Sequence, residues 1–195
     1  MGPRRSRWLR WAAQPGARLL MGALALAAMA GRMEAADPPV SSRTLRAALI
    51  LQLVNFVEWP QPSSGVTSVC VVGDELLATS LRQALDNQTA LRRPQIVSLT
   101  GLKDFKESRE CQVMAVGDYD ERQVRAYLAA QQSRPVLTVG SGEEFLRQGG
   151  MVRFRLDDGR IAIEINMGPV ERAKLRFSSK LLRLAHLVNL DKEGS

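Results

Sequence analysis

Histidine and cysteine are nearly absent from this chain: one His, His186, and two Cys, Cys70 and Cys111, in 195 residues. Metal-ligand spacing needs a cluster of such residues, and none exists here. His186 lies in LLRLAHLV. It reads as a packed or partly exposed residue of a leucine-rich helix, with no partner that would make it a general base. The two cysteines are too far apart for a CxxC redox motif. The dinucleotide fingerprint is incomplete as well. Gly140-Ser141-Gly142 begins it, but Phe145 stands where its third glycine belongs, so the turn reads as a strand-to-helix connection. Glu143 and Glu144 are adjacent and would point apart on a helix, where they favour its N-terminus rather than form a catalytic pair. Asp157-Asp158 are turn residues, and Gly149-Gly150 serves a turn. No catalytic residue, metal site or cofactor is expected.

Long apolar runs are also missing, with one exception. Leu19 to Ala30 (LLMGALALAAMA) follows a basic segment holding Arg4, Arg5, Arg7 and Arg10. The run is about half of the ~20 residues a membrane-spanning helix needs. With the small-x-small site Ala28-Met29-Ala30 it reads as a cleavable export signal, cut after Ala30 or alternatively after Ala36. An uncleaved N-terminal anchor is the alternative. Residues 1–36 are thus expected to be signal peptide and short linker, and 37–195 one domain. The segment 1–36 carries six Arg and one Glu of a chain with 27 basic and 20 acidic residues, so the remainder is near +2. The basic balance belongs largely to the leader and gives little support for a nucleic-acid partner. Arg153, Arg155 and Arg160 cluster on an apparent hairpin and read as outer-face residues.

Export changes the meaning of the cysteines. In an oxidising compartment Cys70 and Cys111 are most simply one disulfide. The alternative is two buried, reduced, apolar cysteines. A bridge closing about 40 residues is worth roughly 4 kcal/mol in the chain-entropy account.

Helical spacing of Leu45, Leu49, Leu53, Phe56 and Val57 predicts a helix over Thr44 to Val57, capped by Thr44 or Ser42 and ended by Trp59-Pro60. Strands are predicted at Ser68–Gly73, Gln95–Leu99, Cys111–Gly117 and Pro135–Gly140. Helices are predicted at Glu75–Leu85 and Glu121–Gln131, with a short one at Glu143–Arg147. Met151–Leu156 and Arg160–Asn166 alternate and are joined by Asp-Asp-Gly, a hairpin signal. Ile161, Ile163 and Ile165 share one face. Ser178–Val188 is expected to be a closing helix, packed through Leu181, Leu182, Ala185 and Val188. The fold class is α/β: a mainly parallel sheet flanked by helices, with a C-terminal antiparallel hairpin and a closing helix.

Read together, several segments resemble the YfiR-like family of bacterial periplasmic proteins. They are LRAALILQLVNFVEWP (Leu45–Pro60), SVCVVGDELLATSLRQAL (Ser68–Leu85), CQVMAVGD from Cys111, and the block from Arg134 to Val188. That block contains Pro-x-Leu-Thr-Val, a Phe, Gly-Gly, a hairpin ending Glu-Ile-Asn, then Ser-Ser and a leucine-rich segment. The resemblance implies a non-catalytic periplasmic repressor. Its partner would be the periplasmic sensor region of an inner-membrane diguanylate cyclase of the YfiN type, so that cyclic di-GMP falls. It implies relief of repression by a YfiB-type outer-membrane lipoprotein, a homodimer, and a disulfide at the positions of Cys70 and Cys111. A second family disulfide, near the region matching Ser141 to Met151, has no cysteine here. The alternative function is a periplasmic small-ligand-binding module, whose pocket would lie at the strand ends Gly73-Asp74, Gly117-Asp118 and Gly140-Ser141. The simpler role of Gly-Asp is to turn the chain and cap the next helix.

Overall fold

The structure is a computed structural model, and it describes residues 41–60, 67–87, 93–101, 110–117, 119–157 and 160–190. The expected leader, Asp118 and the Asp158-Gly159 turn lie outside the described residues. The chain runs α1 (Ser42–Val54), β1 (Val57–Glu58), β2 (Ser68–Val72), α2 (Glu75–Asp86), β3 (Gln95–Leu99), β4 (Val113–Val116) and α3 (Glu121–Gln131). It continues through β5 (Leu137–Gly140), β6 (Val152–Asp157), β7 (Arg160–Asn166), α4 (Met167–Arg172), β8 (Arg176–Phe177), α5 (Ser179–Leu182) and β9 (His186–Val188).

Seven strands form one sheet in the order β3-β2-β4-β5-β6-β7-β9. All pairs are parallel except the β6–β7 hairpin. The apolar runs VCVV and VMAV form two of its interior strands, β2 and β4, because strands buried on both faces carry no polar alternation. Val69, Val71, Val113 and Ala115 point into one core with α1 and α2, where Ala47, Ile50, Leu53, Leu77 and Leu81 are buried. Cys70, Val72, Met114 and Val116 point to the other face, under Val124, Tyr127 and Leu128 of α3. The hairpin follows its alternation: Ile161, Ile163 and Ile165 join the first core with Val152 and Phe154.

The helix starts follow capping chemistry. Ser41, not Ser42 or Thr44, caps α1: its Oγ accepts from the Thr44 amide at 3.1 Å. The helix stops at Val54. Phe56 and Val57 therefore lie beyond it, and Val57–Glu58 pair antiparallel with Phe177–Arg176 of β8. Asp74 caps α2 and Asp120 caps α3.

Two expected helices take other forms. Glu143–Arg147 is a run of turns rather than a helix. The closing helix is a single turn, Ser179–Leu182, capped by Ser178. The chain then enters β9, which pairs parallel with β7. Leu181, Leu182, Ala185 and Val188 fit helical spacing, but the free edge of β7 offers backbone partners that outweigh so weak a local preference. His186 is consequently an exposed strand residue, not a helix residue.

Candidate functional site

Cys70 and Cys111 are joined, with Cα atoms 5.8 Å apart and a sequence separation of 41. Cys70 sits inside β2, while Cys111 precedes β4 instead of beginning it. Gln112 fixes the approach: its amide donates to the Ser68 carbonyl at 3.1 Å, and its Oε1 accepts from the Ser68 amide at 2.6 Å. The bridge is buried, with the cysteines 1% and 3% exposed. Both sulfurs face the α3 side of the sheet among Met114, Tyr127 and Leu128. It is a staple beneath a helix, away from solvent.

The sheet reverses its winding between β2 and β4, and open α/β sheets bind ligands at such points. Here that place is closed. A Cβ on Gly117 would stand 2.7 Å from the Cβ of Asp74 and from the carbonyl of Gly73. The Asp74 carboxylate is engaged too: it accepts from the Leu77 amide at 2.9 Å and faces Arg43 at 3.4 Å and Arg46 at 4.0 Å. The Gly-Asp pair thus turns the chain, caps α2 and fastens α1 to the strand ends.

The neighbouring strand ends leave a cleft between β4 and β5. Gly117, Tyr119, Glu121, Ser141, Glu143 and Glu144 line it, with a volume of about 140 Å³. Ligand pockets usually hold ~300 Å³ or more. Its floor is Phe145, which explains the glycines around it. Cβ atoms on Gly140 or Gly150 would run into the Phe145 ring. Gly140 therefore makes room for an aromatic ring, whereas a Cβ on Gly142 would meet nothing within 4 Å. Glu144 pairs with Arg147, and this hydrogen bond holds its carboxyl below the usual carboxylate value.

The hairpin carries the densest polar network. Glu164 of β7 is paired in register with Arg153 of β6 and with His186 of β9. Its carboxylate accepts from Arg153 Nε at 2.5 Å and from Arg155 Nε at 3.0 Å. Arg153 also donates to the Glu143 carbonyl at 2.8 Å. Asn166 ends the same strand: its Nδ2 donates to the Leu146 carbonyl at 3.1 Å, and its Oδ1 accepts from the Gly168 amide. The Glu-Ile-Asn motif thus ties the turns after β5 to the hairpin. Sequence reasoning assigned Arg153 and Arg155 to an outer face, and it had no signal for the roles of Glu164 and Asn166.

Among the described residues no group of His, Cys, Asp and Glu could hold a metal ion. No described helix is long and apolar enough to cross a membrane.

These features define a mostly parallel α/β domain stapled by a buried disulfide, with Asp74, Glu164 and Asn166 committed to structure. The chain belongs to the YfiR/HmsC-like family, whose profile matches residues 43–186. That family is regulatory rather than catalytic, periplasmic, and tied to cyclic di-GMP signalling. No curated protein sequence matches the chain. Among solved structures it is similar to a conserved domain protein from Vibrio cholerae, at 16% identity and a TM-score of 0.50. It is also similar to the ABC domain of a Streptococcus pneumoniae protein in complex with L-Trp, at 10% identity and a TM-score of 0.50. In both cases 75% of this chain is covered, and it spans only 60% of the solved chain. At these identities the likeness concerns the fold alone.

Proposed function

We propose that this protein is a non-catalytic periplasmic regulator that binds the periplasmic sensor region of a membrane-bound, YfiN-type diguanylate cyclase and represses it. Family membership over residues 43–186 carries this reading. The small cleft at the strand ends and the structural engagement of Asp74, Glu164 and Asn166 support contact over catalysis. In this reading residues 1–36 direct export and are removed, residues 37–195 are the working domain, and Cys70–Cys111 forms during export. Relief by a YfiB-type outer-membrane lipoprotein and a homodimer belong to the same proposal. A small-ligand module with its pocket at the strand ends is the weaker reading, because the cleft there, about 140 Å³, is less than half of an ordinary ligand site.

The test is deletion of the gene followed by measurement of cellular cyclic di-GMP. A rise that is reversed by restoring the full chain supports repression. An unchanged level in the deletion strain sinks it.

A further inference from the structure

No further inference is drawn: the strongest candidate, the outer edge of β9 with its exposed Leu187 and the cleft of about 260 Å³ beside it, carries nothing, because the arginines there are paired, Arg147 with Glu144 and Arg153 with Glu164, and nothing in the structure shows what covers it.

Discussion

Gly140 backs directly onto the ring of Phe145, so closely that a methyl group on the glycine would stand 2.6 Å from two ring carbons. Gly150 approaches the same ring from the other end of the turn segment. Phe145 is buried, and the glycines are the space it occupies. Gly140→Ala and Gly150→Ala should each destabilise the protein by about 1–3 kcal/mol through overpacking. Phe145→Ala should cost about 3–5 kcal/mol through the cavity it leaves. Urea unfolding curves would measure all three, and wild-type midpoints for the glycine variants would refute the packing account.

The disulfide spans 41 residues in sequence. Replacing both cysteines by alanine should lower stability by about 4 kcal/mol in the chain-entropy account. Reduction alone should be slow in the native state, because both sulfurs are buried beneath α3. Thiol counts on protein taken from the periplasm, before and after denaturation, check this. Two free thiols in the untreated, denatured protein would contradict it.

Glu164 is buried and holds two arginines that differ in exposure. The side chain of Arg153 is 14% exposed and that of Arg155 46%. Glu164→Ala leaves Arg153 buried without its carboxylate, and the expected loss is about 3–5 kcal/mol. Arg155→Ala removes a largely solvated contact, and at most about 1 kcal/mol should follow. Equal losses in the two variants would show that Glu164 is not the centre of the network.

Burial pushes the Tyr127 phenol well above its ordinary value of 10.0, and Arg134 only partly offsets this. The unfolded chain releases this proton first, near pH 10. Stability contributed by the neutral phenol is therefore complete below about pH 10 and declines as pH rises from there towards the folded-state pKa. Ultraviolet absorbance in alkali should show a late tyrosine ionisation that accompanies unfolding, and Tyr127→Phe should remove it. An ionisation of Tyr127 near pH 10 in the folded protein would overturn the assignment.

Export by the proposed leader has a simple readout. Intact mass of the periplasmic protein should correspond to a chain beginning at Gly31, or at Asp37 if the alternative site is used. Retention of Arg4 to Arg10 in the mature protein would refute cleavage.

Much of the fold was legible in the residues. Strands β2 and β3 and helices α2 and α3 lie where apolar runs, spacing and capping acids put them, because each is a local pattern repeated over several residues. What escaped depends on partners distant in sequence. Residues 57–58 become β1 only because residues 176–177 are beside them. Residues 186–188 become β9 only because β7 has a free edge. The candidate site shares this limit. Cys70 and Cys111 stand out by rarity, and the Gly-Asp turn by composition. His186 changed meaning once its helix became an edge strand, and no periodicity over three residues could have revealed that.

The pairing of β1 with β8 also sets an order of events. Val57 waits for Phe177 across most of the domain, and the apolar side of α1 beside it packs with late-made residues such as Val170, Leu175 and Leu181. A chain emerging from its N-terminal end therefore carries an unfinished core until its last elements arrive. Contacts of such long separation are slow to form. Completion falls to the segment that also carries β9, so the last strand of the sheet and the last residues of the core arrive together.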